Sequence, residues 1–211
     1  MENKKQHWET VYTTKSADEV SWTQEVPQTS LDFIHEFNLP KTARIIDIGG
    51  GDSHLVDYLL QEGYENITVL DISESALQRA KERLGVAANQ VKWVVSDILG
   101  FQPPEHYDLW HDRATFHFLT TPEQVQHYLN IAGKATEHFL VVGTFAADGP
   151  TKCSGLEVSR YSQTDLTNAF EQQFNKRRCI STGHQTPFKT IQNFTFCSFD
   201  KRNDIVKHLT I

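Results

Sequence analysis

The sequence predicts a single α/β domain built on a doubly wound sheet of seven strands. Two observations support this prediction. Short runs rich in Ile, Val, Leu and aromatic residues alternate with segments of helical periodicity, and the last two runs follow each other without a helix between them. Strands joined through helices pair in parallel, whereas strands joined by a short connection pair antiparallel. The expected sheet is therefore mostly parallel and ends in a C-terminal antiparallel hairpin.

Seven segments have the composition of buried strands. Each is short, is bounded by turn residues and lacks the periodicity of a helix. The connection between the last two is about ten residues long, which is too short for a helical crossover. The seven segments are 44–48, 66–72, 91–95, 107–110, 139–144, 178–182 and 193–199.

Helix start and stop signals occupy the longer connections. Ser53 and Ser73 begin two helices that each end at a glycine, and Thr121 followed by a proline begins a third. Residues 162–174 predict a fourth helix before the final pair of strands. These helices supply the crossovers that parallel strands require.

Charge and composition exclude several classes of function. The chain has 211 residues, with 27 acidic and 20 basic side chains and a formal net charge of −7. A nucleic-acid-binding surface needs a basic face, and the densest basic run here is only Lys176-Arg177-Arg178. No apolar stretch approaches the ~20 residues that span a bilayer. We therefore expect no nucleic-acid or membrane partner, and a monomer or weak dimer.

The cysteines indicate a reducing environment. Cys153, Cys179 and Cys197 are odd in number and share no short spacing, so neither a disulfide framework nor a CxxC metal or redox motif is expected. The N-terminal residues contain no apolar core of a secretory signal. We expect a cytoplasmic protein.

The most informative motif is the run IIDIGGGDS at residues 45–53, at the carboxyl end of the first predicted strand. In doubly wound sheets ligands bind at this end of the strands. A dinucleotide fingerprint needs a third glycine where this sequence has His54, and a P-loop needs a Gly-Lys pair that the sequence lacks. Asp47 and Asp52 flank the glycines and disfavour a pyrophosphate. A net positive ligand such as S-adenosylmethionine, with a sulfonium and an ammonium group, fits better.

Two further acids stand where an adenosine would need them. Asp71 follows the second strand in VLDIS and can accept from both ribose hydroxyls. Asp97 follows the third strand in VVSDI and can accept from the adenine amino group. A strand-end aspartate by itself is more often a turn former or a helix cap. The glycine loop and the two acids together are the stronger indication.

On these motifs the chain resembles the class I S-adenosylmethionine-dependent methyltransferases from about residue 40 to 200. IIDIGGGDS is similar to their first motif, VLDIS to their second and SDI to their third. The turn before the fifth strand departs from the family, since Gly133 and the residues after it stand in place of Pro-Gly-Gly. The resemblance implies a Rossmann-like sheet of strand order 3-2-1-4-5-7-6. It also implies cofactor contacts from Asp47, Gly49, Gly50, Gly51, Asp71, Ile72, Asp97, Ile98 and Asp112.

The resemblance places the methyl acceptor at the end of the fourth strand. Asp112-Arg113-Ala114-Thr115 is similar to a D-[KR]-G-T/A stretch of two branches, with an alanine in place of the glycine. One branch is the thiopurine-type methyltransferases, and the other is the lysine methyltransferases that act on citrate synthase and elongation factor. The predicted catalytic residues are Asp112, Arg113 and His117, with Asp112 holding the methionine ammonium or orienting the acceptor. The predicted acceptor-binding residues are Trp22, Phe116, Phe145, Arg160 and Tyr161.

Two histidines flank this stretch. His111 and His117 do not have a standard metal-ligand spacing, so no metal is expected. A structural histidine held by hydrogen bonds is the favoured interpretation of each. A proton acceptor is the alternative, because an unperturbed imidazole titrates near neutral pH.

The N-terminal residues are too aromatic for a loose tail. HWETVY and VSWTQ, which contain Trp8, Tyr12 and Trp22, resemble the leader that covers the cofactor in both branches. We predict that residues 1–40 form a helical segment, either a lid over the site or a helix docked on the core. Residues 41–211 are the predicted S-adenosylmethionine-binding domain.

The predicted function is transfer of a methyl group from S-adenosylmethionine to a nucleophilic acceptor. A small thiol or amine is favoured over a protein lysine, because the predicted pocket is aromatic and lies under a long loop and the N-terminal segment. A non-catalytic cofactor-binding subunit is an alternative. A nicotinamide-dependent oxidoreductase is a remote one, since the third glycine and a Tyr-x-x-x-Lys motif are both missing from the sequence.

Overall fold

A computed structural model describes residues 4–202 of the protein. Its helices are α1 (Lys4–Thr14), α2 (Gln28–His35), α3 (Leu55–Gln61), α4 (Glu74–Leu84), α5 (Pro122–Ala135) and α6 (Gln163–Phe170). Its strands are β1 (Arg44–Ile48), β2 (Asn66–Asp71), β3 (Val91–Val95), β4 (Tyr107–Arg113), β5 (Thr136–Phe145), β6 (Lys152–Cys153), β7 (Leu156–Glu157), β8 (Phe174–Gln185) and β9 (Ile191–Lys201). The outermost residues of the two predicted domains, 1–3 and 203–211, lie outside the described residues.

The seven-stranded sheet has the order β3-β2-β1-β4-β5-β9-β8. The first five strands pair in parallel, and β9 pairs antiparallel with both β5 and β8. The predicted order is confirmed, because β6 and β7 form a separate two-stranded ribbon and the sixth and seventh predicted strands are β8 and β9. The predicted fourth helix ends earlier than expected, since Phe174 already belongs to β8.

Both faces of the sheet are covered, as a parallel sheet requires. Ile46 and Ile48 of β1 belong to a core that also contains Tyr128 of α5 and Phe170 of α6. Ile45 belongs to the opposite core, which includes side chains of α2, α3 and α4. Side chains therefore alternate between the two cores along each strand, and this alternation decides which side chains can reach the site.

The helix ends follow the local signals in the sequence. The Thr121 hydroxyl accepts a hydrogen bond from the Gln124 N–H, and the Gln124 side chain accepts from the Thr121 N–H in return. The Ser73 hydroxyl accepts from the Ala76 N–H at the start of α4. Such side chains satisfy backbone donors that the first turn of a helix leaves unpaired. None of the helices within residues 4–202 is both long enough and apolar enough to cross a membrane.

The expectation of no disulfide is wrong. Cys179 on β8 and Cys197 on β9 are directly opposite in the hairpin register and are bonded, with their Cα atoms 4.1 Å apart. The two residues are 18 apart in sequence, a spacing that carries no signal until the register of the hairpin is known. Cys153 is the free cysteine of the described chain, and it is buried.

Candidate active site

A cavity opens at the carboxyl ends of the parallel strands, where the order of the sheet reverses between β1 and β4. Its floor comes from the residues that follow β1, β2, β3 and β4, and its cover comes from the N-terminal segment that precedes α2. Of the residues predicted to touch the cofactor, the cavity is lined by Asp47, Gly49, Gly50, Asp71, Ile72, Asp97 and Ile98.

The glycine loop after β1 has a backbone that other residues rarely adopt. Gly49 has φ 65° and Gly51 has φ 49°. A Cβ atom at Gly49 would also lie 1.7 Å from the Thr115 hydroxyl oxygen, and one at Gly50 would lie 2.6 Å from a carboxylate oxygen of Asp47. The loop therefore needs glycine for both its conformation and its close contact with neighbouring side chains.

Asp71 is a buried carboxyl at the end of β2. Its Oδ1 accepts a hydrogen bond of 2.8 Å from the Ser73 N–H. Burial raises the pKa of Asp71 to about 7, against the opposing effect of that hydrogen bond, and the negative charges of Asp52 and Asp47 raise it further. A ligand that donates hydrogen bonds to this carboxylate would stabilise its charged form.

Asp97 follows β3 and begins a short 3₁₀-helix, Ile98–Gly100. Its Oδ1 accepts from the Leu99 N–H at 2.9 Å. The side chain remains exposed at the edge of the cavity, while Ile98 is buried. The pair offers a polar group next to an apolar surface, which suits a flat heterocycle with an amino group.

Asp47 and His111 form a buried pair between neighbouring strands β1 and β4. The two residues face each other in the parallel register, and Nδ1 of His111 lies 2.7 Å from Oδ1 of Asp47. Nε2 of His111 lies 2.9 Å from the Ser30 hydroxyl on α2. Both ring nitrogens already have partners, which is the arrangement expected of a structural histidine.

Arg113 ends β4 and lines the cavity on the same side as Asp47 and His111. Its Nη1 donates to the Trp22 carbonyl oxygen at 3.1 Å, and its guanidinium lies 5.0 Å from the centre of the Phe194 ring. Burial lowers the pKa of Arg113 to about 10, although the charge of Asp47 opposes this shift. The side chain stays cationic at neutral pH.

Asp112 does not reach the cavity, contrary to its predicted contact with the cofactor or the acceptor. Because β4 continues to Arg113, alternation turns Asp112 to the opposite face of the sheet. There its carboxylate accepts from the Tyr128 hydroxyl at 2.7 Å and from the Thr115 and Phe116 N–H groups at 3.0 and 3.1 Å. Burial raises the pKa of Asp112 to about 6 despite these donors. Asp112 holds the turn after β4 against α5.

His117 is also enclosed rather than presented to the cavity. The Phe145 N–H donates to its Nδ1 at 3.2 Å, and the two rings stack with their centres 4.6 Å apart. Burial, followed by the nearby charge of Arg113, lowers the pKa of His117 to about 3. A histidine with Nδ1 occupied as an acceptor carries its proton on Nε2 and is not free to accept another.

Of the five predicted acceptor-binding residues, Trp22 alone lines this cavity. Phe116 is fully buried in the core beside Tyr128 and Phe170. Phe145 belongs to the end of β5, and Tyr161 packs against Phe116. Arg160 is exposed, and its guanidinium donates to the Gly149 carbonyl oxygen. Aromatic residues predicted for a pocket instead filled the core, which is the commoner place for them.

The N-terminal segment covers the cavity with an aromatic cluster that the sequence only partly revealed. The Trp8 ring lies 5.2 Å from that of Phe118 and 5.6 Å from that of Trp22. The Tyr12 hydroxyl stands over the glycine loop, where a Cβ at Gly51 would lie 2.9 Å from its oxygen. Edge-to-face contacts of this kind bury large areas and exclude water.

Glu9 fixes the covering helix α1 to the start of α4. Its carboxylate accepts from the Glu74 N–H at 2.6 Å, from the Ser75 N–H at 3.2 Å and from the Ser73 hydroxyl at 3.2 Å. An anion at a helix N-terminus is favoured both by unpaired N–H groups and by the helix dipole. Nothing in the sequence indicated this contact or the lining positions Lys4, Ser30 and Phe118, whereas Cys153 lies in the loop after the fifth predicted strand that was expected to contribute to the acceptor pocket.

Comparison with known proteins finds similarity to methyltransferases. Residues 45–134 match the family model described as "Methyltransferase domain". A malonyl-[acyl-carrier protein] O-methyltransferase of Anoxybacillus flavithermus is 38 % identical over 82 residues, which are 38 % of this chain and 30 % of the relative. The mouse eEF1A lysine and N-terminal methyltransferase is 24 % identical over 119 residues, which are 56 % of this chain and 17 % of the relative. The chain spans about a third or less of the length of these curated relatives.

Solved structures agree on the fold over nearly the whole chain. The N-methyltransferase NodS of Bradyrhizobium japonicum, in complex with S-adenosylhomocysteine, has a TM-score of 0.74 at 17 % identity and covers 96 % of this chain and 100 % of its own. The 1,6-didemethyltoxoflavin-N1-methyltransferase of Burkholderia thailandensis has a TM-score of 0.71 at 15 % identity, over 94 % and 87 % of the two chains. The resemblance seen in the sequence motifs is confirmed: residues 45–134 match the methyltransferase domain model, and the chain has the fold of the class I S-adenosylmethionine-dependent methyltransferases.

Proposed function

We propose that this protein transfers a methyl group from S-adenosylmethionine to a small-molecule acceptor. The observation that carries the proposal is one cavity lined at once by the glycine loop after β1 and by the acids after β2 and β3. In this proposal Asp71 holds the ribose hydroxyls, and Asp97 with Ile98 holds the adenine. Gly49 and Asp47 lie against the methionine part of the cofactor.

The charge of the cavity supports this cofactor over a dinucleotide. Asp47, Asp52, Asp71 and Asp97 all line it. A pyrophosphate would meet these carboxylates, whereas a sulfonium and an ammonium are attracted by them. Burial raises the pKa of Asp71 to about 7 because the charged carboxylate is poorly solvated there. Hydrogen bonds from the ribose hydroxyls would stabilise that charged form.

The remaining task of the protein is to place an acceptor and exclude water. Bound S-adenosylmethionine supplies a methyl group already activated on a sulfonium. Orientation of the acceptor next to that methyl group then provides most of the rate enhancement. The aromatic cluster of Trp8, Trp22 and Phe118 shields the cavity from solvent and offers an apolar surface to the acceptor.

Binding measurements test the cofactor part of the proposal. Calorimetry is expected to show S-adenosylhomocysteine binding in the low micromolar range or tighter, and no binding of NAD. Replacing Asp71 with alanine should weaken binding by ~1–3 kcal/mol, because the ribose hydroxyls lose their acceptor. Asp32→Ala, on the exposed side of α2, is the matched control. Heat from NAD with none from S-adenosylhomocysteine would contradict the proposal.

A protein lysine is the second candidate acceptor. The match to the mouse eEF1A lysine and N-terminal methyltransferase covers 56 % of this chain and favours it. The aromatic cavity under the N-terminal segment favours a small molecule instead, since a lysine on a folded partner needs an open rim. Incubation of the protein with tritiated S-adenosylmethionine and cell lysate separates the two. Label in a discrete protein band, absent from the small-molecule fraction, would replace the first candidate with the second.

A further inference from the structure

We infer that the methyl acceptor carries a carboxylate on an apolar body, and that Arg113 binds this carboxylate with help from the Thr23 hydroxyl. The inference rests on the proposed function, because the acceptor occupies the same cavity as the cofactor. It names the substrate class and a specificity-determining residue for that site.

Arg113 is a partly buried cation with no carboxylate bonded to it in the part of the chain that the structure describes. One nitrogen of its guanidinium has a hydrogen-bond partner, since Nη1 donates to the Trp22 carbonyl oxygen at 3.1 Å. Nη2 is buried and has no hydrogen-bond acceptor. None of the carboxylates within residues 4–202 lies within 4.0 Å of the guanidinium. A buried N–H donor of a charged group is costly to leave unpaired unless a ligand accepts from it.

None of the described groups around Arg113 forms a direct ion pair with it. Burial, with the charge of Arg113, keeps the pKa of both His117 and His184 below the ordinary value, so both rings are neutral. Burial raises the pKa of the Cys153 thiol to about 12, so no thiolate is present. Asp47 is the nearby acid that favours the charged arginine, and its Oδ1 is already 2.7 Å from His111. The missing partner is therefore an anion from outside the chain.

Thr23 extends the same donor surface. It lines the cavity, and its hydroxyl is buried without a hydrogen-bond partner. It follows directly on Trp22, whose carbonyl is fixed by Arg113, so the two unpaired groups belong to one corner of the cavity. A planar carboxylate offers the acceptor oxygens that a guanidinium and a hydroxyl require.

The rest of this corner is aromatic. Trp8, Trp22 and Phe118 line the cavity beside it, and the Lys4 ammonium donates to the Phe118 carbonyl oxygen at 3.1 Å. The lysine adds positive charge near the aromatic surface. An acceptor that fits both features has a carboxylate and an apolar or aromatic body. Asp52, Asp71 and Asp97 also line the cavity and remain available to the cofactor.

The test uses the full chain saturated with S-adenosylhomocysteine and three pairs of probes. Benzoate, phenylacetate and 3-phenylpropionate are each compared with the corresponding neutral amide, by quenching of the fluorescence of Trp8 and Trp22 and by calorimetry. At least one carboxylate is expected to bind about tenfold or more tightly than its amide, because a charge-assisted pair replaces an unpaired cation. The preference should weaken at high salt.

Two variants assign the preference to Arg113. Arg113→Gln keeps a donor for the Trp22 carbonyl but removes the charge, and it should abolish the preference while binding of S-adenosylhomocysteine changes by less than about threefold. Arg160→Gln, outside the cavity, should keep the preference. Equal binding of acid and amide for all three pairs, no binding of any carboxylate, or a preference that survives Arg113→Gln would each overturn the inference. Failure to bind S-adenosylhomocysteine would instead contradict the proposed function.

Discussion

The two ends of the cavity are built in different ways. The proposed cofactor end consists of backbone and short acids at or just after the carboxyl ends of β1, β2 and β3, namely the glycine loop, Asp71 and Asp97. The acceptor end consists of long side chains from segments far apart in sequence, among them Lys4, Trp22, Arg113 and Phe118. The first is fixed by the register of a parallel sheet, and the second by how the N-terminal segment docks on it.

The first end depends on features that many parallel sheets share, and the second depends on side chains specific to this protein. Parallel strands end at one edge of the sheet whatever their side chains, so the cofactor end follows from strand order. The acceptor end depends on contacts such as the donation from Arg113 to the Trp22 carbonyl, which no local pattern specifies. Substitutions at the two ends should therefore differ in whether they affect folding, cofactor binding or acceptor choice.

The largest expected effect is a loss of stability on substitution of Asp112, which faces away from the cavity although its neighbour Arg113 lines it. Asp112→Ala should lower the free energy of unfolding by ~3 kcal/mol or more, because it leaves the buried Tyr128 hydroxyl and the N–H groups of Thr115 and Phe116 without an acceptor. Urea unfolding followed by far-UV circular dichroism measures this. Asp112→Asn, which keeps one carbonyl oxygen, should lose less. An Asp112→Ala variant that is as stable as the wild type but fails to bind S-adenosylhomocysteine would show that Asp112 contributes to cofactor binding instead.

A second expected effect concerns the glycine loop. Gly49→Ala should cost ~2–3 kcal/mol of stability, because the new Cβ clashes with the Thr115 hydroxyl and the backbone has a positive φ. In a Thr115→Ala background the contact with the hydroxyl is removed, and a smaller cost of about 1 kcal/mol should remain from the backbone and from the residue 115 Cβ at 3.1 Å. Thermal and urea unfolding of the four proteins of this cycle test the expectation. An additive cycle would show that the close contact is not the cause.

The third expectation is a pH dependence of cofactor binding that belongs to the cofactor end alone. The pKa of Asp71 is raised to about 7 in the free protein, and ribose donors should lower it in the complex. Binding then releases a proton, so affinity for S-adenosylhomocysteine should rise with pH up to about 7. Below that value it should fall by at most about tenfold per pH unit. Calorimetry in buffers of different ionisation enthalpy measures the released proton.

The control for this dependence is Asp71→Asn, which cannot titrate. Its affinity should be weaker at neutral pH and nearly constant between about pH 5 and 8. The same raised pKa also affects stability. Between the pKa of Asp71 in the unfolded chain and its pKa of about 7 in the folded protein, the folded state binds more protons than the unfolded state, so the free energy of unfolding should decrease as pH rises. A wild-type affinity that falls with rising pH in this range would contradict the assignment.

The fold and the lining of the proposed cofactor end were predictable from sequence because their signals are local. Strand composition, helix caps and the glycine loop each concern a few consecutive residues, and the strand order β3-β2-β1-β4-β5-β9-β8 confirms the predicted topology. The failures began where a boundary moved by a few residues. The predicted fourth strand stopped at residue 110, whereas β4 continues to Arg113, and strand alternation then sends Asp112 and Arg113 to opposite faces.

The other failures share a long-range cause. Cys179 and Cys197 meet only through the register of β8 and β9. Phe116 and Phe145 were expected in the pocket from their place in polar loops, but a 3₁₀-turn and the end of β5 carry them into the core. Contacts between distant segments depend on packing, which the periodicity of a single segment does not encode.

The smallest expected effect tests whether the cover and the cofactor end are coupled. Burial opposes the ionisation of Glu9, but hydrogen bonds from Ser75 and its neighbours lower its pKa below the ordinary value. Its stabilising effect should therefore be present at neutral pH and disappear as pH falls through the folded pKa. Glu9→Gln should cost only about 0.5–1 kcal/mol, since the group is partly exposed to solvent.

Glu9 bonds to Ser73 and Glu74, just after Asp71, so loosening α1 should also loosen the ribose site. The affinity of Glu9→Gln for S-adenosylhomocysteine should therefore fall by about twofold to fivefold, which corresponds to the loss of about 0.5–1 kcal/mol expected for stability. Glu65→Gln, exposed and outside the cavity, should change neither stability nor affinity. If Glu9→Gln loses stability but binds as tightly as the wild type, α1 is a helix docked on the core. If affinity falls with stability, α1 is part of the cofactor site, and the separation of the two ends is incomplete at this point.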